Sequence, residues 1–236
     1  VWDLAGREVL RVVDRPLGDR IPMEGVPLGP RNVSWHPAEP STLVWTEAQD
    51  GGDPARPAEL RDIWYARAAP FQEPARELAR LAHRASGLSV LSESSRLLVS
   101  EYDRDRRWTR TWLIDPRQPE AAPRAIEDRS NNDRYGDPGT PISIPNARGQ
   151  AVVRERDGKI LRSGPGHSPK GPRPFLARED LGSGARELLW QSAESRYESL
   201  AALLEEGASS AQLVFASESA NEPTNYFLWS TGKEAR

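Results

Sequence analysis

Four residues have types and spacing suited to binding chemistry: Glu47, Asp50 and Asp53 in the stretch 46–54 (TEAQDGGDP), and Arg110 in the stretch 104–112 (RDRRWTRTW). A plain turn needs a single Asp-Gly, whereas 46–54 interleaves three acids with paired glycine. Such a segment is expected to be a tight loop outside the core, able to hold a cation, an amino terminus or a neighbouring domain. Strand alternation puts Trp108, Arg110 and Trp112 on one face and Arg107, Thr109 and Thr111 on the other. Two readings of Arg110 stay open. It either stacks on indole as packing, worth about 0.5–2 kcal/mol, or aims its planar fork at a carboxylate in a channel.

Other chemistries lack their residues. There is no Cys, which removes disulfides, thiolate metal sites and a Cys nucleophile. The nucleophile elbow G-x-S-x-G is absent; Gly166-His167-Ser168-Pro169-Lys170 ends in Lys and reads as part of a Gly/Pro loop over 163–171. Ser230-Thr231-Gly232-Lys233 has S-x-x-K spacing and reads as a turn. His36, His83 and His167 share no ligand spacing, so no metal is expected. The stretch 128–137 (DRSNNDRYGD) lacks the regular ligand order and closing Glu of an EF-hand and reads as an Asn/Asp-rich turn. No cofactor is expected.

The elements that must position these residues are short. Apolar runs at 1–4, 9–13, 33–35, 43–46, 63–66, 97–102, 109–114, 151–154, 159–162, 213–217 and 226–229 carry β-branched and aromatic residues, and Pro or Gly recur between them. Residues 71–88 and 186–204 are locally helix-friendly but sit among strands, so the expected class is all-β. A repeat runs through the chain. An apolar strand, a polar turn and a second apolar strand recur at 32–45, 88–99, 141–153 and 200–215. The markers Ser34, Ser89, Ser143 and Ala201 are 55, 54 and 58 residues apart. Propeller blades repeat in this way, with a β-sandwich as the competing architecture. The expectation is a partial β-propeller of about four to five blades: a partial blade at 1–31, blades at 32–86, 87–140 and 141–198, and an incomplete blade at 199–236. Residues 1–10 then form the outer hairpin of a blade whose inner strands lie before residue 1, and the chain is a piece of a longer domain.

Charge and length fit that picture. With 32 Lys+Arg against 35 Asp+Glu, a formal charge of −3 gives no electrostatic case for nucleic acid or an anionic membrane. No apolar run approaches the roughly 18 residues of a membrane span, and either a periplasmic or a cytoplasmic setting suits a soluble chain without thiols.

The stretch 40–54 (PSTLVWTEAQDGGDP), followed by 61–65 (RDIWY), resembles the propeller of the glutamyl endopeptidase branch of the prolyl oligopeptidase family of serine peptidases. The likeness continues in order at 29–31 (GPR), 109–112 (TRTW), 128–130 (DRS), 137–139 (DPG), 174–176 (PFL) and 222–226 (EPTNY). The resemblance implies a seven-bladed propeller ahead of a C-terminal α/β-hydrolase domain that carries the whole triad, so no catalytic residue falls in this chain. It implies two partners, that hydrolase domain and a peptide substrate. The propeller would cap the active site and admit only small or unfolded peptides, leaving the chain inactive alone. Cleavage after Glu calls for a cationic pocket, to which Arg110 is a candidate contributor, and Glu47, Asp50 and Asp53 are candidate substrate-binding residues. The alternative is a stand-alone propeller serving as a protein-interaction or ligand-binding scaffold.

Overall fold

The computed structural model describes residues 1–15, 17–206 and 211–230. Their sole helical segment is a 3-10 turn, Gly18–Arg20; everything else regular is strand, so the class is all-β. By contacts the chain divides into two compact units, one of Val1–Leu91, Ser95–Ser130 and Asn146–Val152, the other of Ser92–Ser94, Asn131–Pro145 and Val153–Arg236.

The first unit holds two four-stranded antiparallel meanders. One is β1 (Arg31–Trp35), β2 (Thr42–Ala48), β3 (Asp62–Ala68) and β4 (Arg76–Leu81), in that spatial order. The other is β5 (Arg84–Val90), β6 (Leu97–Asp103), β7 (Trp108–Ile114) and β8 (Arg124–Ser130), also in sequence order. Strand β2 is buried on both sides. Val44 joins Trp64, Ala66, Leu78 and Leu81 in a core that also takes Val90, Leu97 and Val99 from the second sheet. Leu43 and Trp45 point the other way and pack with Phe71, Val1, Leu10 and Val12. The two sheets therefore meet face to face, and the N-terminal segment covers the far face of the first. That segment is less regular than its sequence suggests. Instead of strands at 1–4 and 9–13 it makes one bridge, Trp2 to Glu8, and the Val1 ammonium donates to the Leu10 carbonyl at 2.7 Å.

The second unit repeats the theme with irregularities. Its short strands are β9 (Thr140–Pro141), β10 (Ser143–Pro145), β12 (Glu155–Arg156), β14 (His167–Ser168) and β15 (Gly171–Pro172); the residues of β11 (Ala151–Val153) are divided between the two units. The long ones are β13 (Lys159–Gly164), β16 (Phe175–Asp180), β17 (Arg186–Gln191), β18 (Tyr197–Glu206), β19 (Ala211–Ser219) and β20 (Glu222–Ser230). β13, β16 and β17 form a sheet whose first position is shared by β9 and β12, both paired with β13. Asp157 and Gly158, both at positive φ, make the two-residue turn between β12 and β13, as the twist of a tight hairpin requires. β18, β19 and β20 form a three-stranded meander. Leu161 and Leu176 of one sheet pack with Leu213 and Phe215 of the other. Three of the four repeat markers, Ser34, Ser89 and Ala201, lie on the first strand of a sheet, whereas Ser143 lies on β10, outside the sheet of β13. The S-x-x-K turn after Ser230 lies largely outside the described residues.

The helix-friendly windows are strands. In β4 a bulge opposite Trp64 and Tyr65 inserts Leu78, so Leu78 and Leu81 both reach the core three residues apart. Period two broken once by a bulge imitates helical spacing. The window 186–204 becomes β17 and most of β18, again with bulges in the pairing.

Candidate functional site

The loop after β2 is placed by a buried ionic chain. Asp50 is buried, against the expectation that this acidic loop lies wholly outside the core, and its carboxylate has no side-chain exposure. Its Oδ2 accepts from Arg61 Nη1 at 2.7 Å and from Arg84 Nη2 at 2.6 Å, and its Oδ1 accepts from the Gly52 N–H at 3.0 Å. Burial alone would push this carboxyl up; the bonds from Arg84 and Arg61, the Arg84 charge and the Gly52 N–H outweigh it and hold Asp50 below the ordinary carboxylate value. Arg84 continues the chain to Asp62 at 3.0 Å, and Asp62, also without side-chain exposure, pairs with buried Arg31. Asp62 also accepts from the Ala85 N–H at 2.6 Å, and Arg31 Nη1 donates to Thr46 Oγ1 at 2.9 Å. Two carboxylates and three guanidiniums thus tie β1, β3 and β5 to the loop 49–61.

Backbone contacts complete the loop. The Val26 N–H donates to the Gly52 carbonyl at 2.9 Å, and Gly52 sits at φ +74 with Val26 O only 2.1 Å from where a Cβ would stand. The paired glycine is needed for this close approach. The three acids have different partners. Glu47 accepts from Trp45 Nε1 at 2.7 Å, Asp50 holds the arginines, and Asp53 accepts from the Ala55 N–H at 3.0 Å with Arg56 at 3.8 Å. Glu47 and Asp53 are half-buried at the surface.

Arg110 lies on β7 between two acids. Its Nη1 is 3.4 Å from Glu101 Oε1 and its Nε is 3.2 Å from Asp128 Oδ1. Its guanidinium stands 5.4 Å from the centroid of Trp112, on the face that alternation assigns to both. Buried Glu101 accepts in addition from Trp112 Nε1 at 3.0 Å and from the His83 N–H at 2.8 Å. Asp128 accepts from Trp108 Nε1, and that bond, set against the cost of burial and joined by Arg110, holds its carboxyl low. Arg110 thus stacks on the Trp112 indole, and the carboxylates it grips are internal ones, Glu101 and Asp128. A third pair, Arg162 with Glu179, is buried between β13 and β16. Sequence reasoning missed Arg31, Asp62, Arg84, Glu101, Arg162 and Glu179. The available signal was position: Glu101 continues the inward alternation Leu97, Val99, and a charge on an inward strand position must find a partner.

Cavities open at several places among the described residues. One of about 480 Å³ lies under the β14–β15 hairpin, where Glu194 is 3.2 Å from Lys170 and 3.8 Å from Arg173. One of about 320 Å³ is walled by Trp190, Phe215, Phe227 and Trp229. A smaller one, about 160 Å³, is beside His36, whose Nδ1 accepts the N–H groups of Ala38 and Glu39. Burial pushes the pKa of that imidazole down, against the Glu39 charge. Among the described residues no histidine is hydrogen-bonded to a serine hydroxyl, and none of the His, Asp and Glu clusters could hold a metal. No described helix is long and apolar enough to cross a membrane.

No protein-family model matches the chain. Against curated proteins it is 34% identical over 254 residues to a probable chloroplastic glutamyl endopeptidase of Oryza sativa subsp. japonica, covering 100% of this chain and 27% of that protein. It is 35% identical over 246 residues to the protein of the same description in Arabidopsis thaliana, covering 97% of the chain and 25% of the relative. The chain is thus homologous to plant glutamyl endopeptidases along its whole length and spans about a quarter of theirs. Among solved structures, TolB of Acinetobacter baumannii superposes at a TM-score of 0.37 with 11% identity, over 77% of this chain and 38% of TolB.

Proposed function

We propose that this chain is the propeller portion of a serine peptidase resembling glutamyl endopeptidase, and that it gates substrate access to a hydrolase domain in the longer protein. The observation that carries the reading is the similarity, over 97–100% of the chain, to two probable glutamyl endopeptidases of which it spans about a quarter. The architecture supports it. Two four-stranded antiparallel meanders follow in sequence order, and the first buries both of its faces, as a propeller blade does. The outer face of β20, where Tyr226 and Leu228 are 69% and 57% exposed, suits a further blade. On this reading the ring has seven blades, of which about four to five are present.

The gate works by exclusion. A rigid rim keeps folded proteins and bulk water from a preorganised site while letting a flexible peptide pass. Asp50, paired with Arg61 and Arg84, and Arg110, paired with Glu101 and Asp128, suit residues that fix rim and channel geometry, and Glu47 and Asp53, at the surface, suit contact with a peptide's cationic groups. The test is hydrolysis of a short Glu-containing peptide. This chain alone should leave it intact, while the longer protein should cleave it and spare a folded protein carrying the same sequence in a buried strand. Equal cleavage of both by the longer protein would remove the gating role.

A further inference from the structure

The geometry points to a binding site for an alkylated ammonium ion, such as a quaternary amine, in the cavity between the sheet of β13, β16 and β17 and the sheet of β18–β20. Both sheets belong to the second unit.

The cavity has an aromatic end and an acidic end. Its volume of about 320 Å³ falls in the range of small-molecule sites. Phe215 on β19 lies directly opposite Phe227 on β20, and Trp229 stands two residues further along the same face. Trp190 of β17 crosses from the other sheet, its ring centroid 4.0 Å from that of Phe215, and Trp229 meets Phe215 edge-on at 5.9 Å. Phe227, on β20 at the edge of its sheet, lines the cavity and is 44% exposed.

The acidic end is built on buried Ser217. Its hydroxyl accepts from Arg196 Nε at 2.8 Å and donates to Glu198 Oε1 at 3.2 Å. Arg196 spends a further nitrogen on Glu222, 2.5 Å away. Glu198 is left with neutral donors only, the Ser217 hydroxyl and the Ala193 N–H at 3.2 Å; among the described residues no cation stands within ion-pair distance of it. One guanidinium against two carboxylates leaves the lining net negative, and the guanidinium is already committed.

These features select among ligands. An anion would face Glu198 and Glu222 with no uncommitted cation to meet it. A neutral apolar molecule would fill the aromatic end and leave the Glu198 charge desolvated and unanswered. A cation with an apolar shell satisfies both ends: its methyl groups pack on the indole and phenyl faces, where the ring quadrupole attracts positive charge, and its charge answers Glu198. A quaternary ammonium has no N–H to leave unbonded, so it sheds water at less cost than a primary amine.

The probe is choline chloride, followed by the indole N–H resonances of Trp190 and Trp229 in NMR, with 3,3-dimethylbutan-1-ol as its neutral isostere. Choline should shift both indoles saturably, about tenfold more tightly than the neutral isostere. Glu198→Gln, which keeps the shape and can still bond Ser217, should weaken choline about fivefold and leave the isostere unchanged. Trp229→Leu should weaken both. Equal affinity for choline and the isostere, or choline binding indifferent to Glu198→Gln in a folded protein, would overturn the proposal. So would shifts of the two indoles that fail to saturate while the spectrum stays that of a folded chain.

Discussion

Removing the Asp62 carboxylate is the sharpest test of how the first unit is held. Asp62 has no side-chain exposure and takes Arg31 and Arg84 together with the Ala85 N–H. In Asp62→Ala, Arg84 keeps Asp50 at 2.6 Å and the Arg61 carbonyl at 3.0 Å, so its charge remains answered. Arg31 does not. Its side chain is 8% exposed, and its remaining side-chain partner is the neutral hydroxyl of Thr46. A buried guanidinium stripped of its carboxylate costs about 3–5 kcal/mol. At about 2–4 °C per kcal/mol for a chain of this size, Tm should fall by about 6–20 °C. Urea and thermal unfolding followed by circular dichroism read both quantities. The double variant Arg31→Met with Asp62→Leu removes the orphaned charge and should recover at least half of the loss, because apolar replacement of a whole buried pair is often close to neutral. A loss below about 1 kcal/mol in Asp62→Ala, or a double variant worse than the single one, would refute the view that this ionic chain is desolvated and mutually dependent.

Two further predictions follow from local geometry. Gly52→Ala should destabilise by about 2 kcal/mol or more, since a Cβ there meets Val26 O at 2.1 Å, whereas Gly149→Ala, at the same φ of +74 but facing open space, should cost only the left-handed strain of about 1 kcal/mol; equal losses would refute the close-approach explanation. Asp115, held low chiefly by the Arg117 side chain, should titrate at about 2 by carboxyl NMR, and Arg117→Ala should return it towards 3.8. Because the folded value lies below the unfolded one, the stability this group contributes is present above about pH 4 and is lost as the pH falls towards 2.

Much of this architecture is legible in the sequence because strand alternation is a local property. The β7 face shared by Arg110 and Trp112 follows from spacing alone, and the all-β class follows from β-branched and aromatic runs set between Pro and Gly. The departures have local causes too. Leu78 at a bulge gives β4 a false helical period, and residues 1–13 pack Val1, Leu10 and Val12 on the first sheet without pairing as strands. The ionic chain was hidden for the opposite reason. Arg31, Asp50, Asp62 and Arg84 come from four separate segments, and which acid meets which arginine is settled only when β1, β3 and β5 are brought together. Hence Asp50, by composition an exposed loop residue, is buried, and Arg110, by composition free to reach a ligand, is held by Glu101 and Asp128.

On the function proposed above, this chain shapes access to chemistry carried elsewhere in a longer serine peptidase. The most direct measurement is labelling with a fluorophosphonate probe, which reacts with activated serines, followed by mapping of the modified residue. The 236-residue chain should take no label, and the longer protein should be labelled on a single serine outside these residues. A stoichiometric label on any serine within this chain would contradict it.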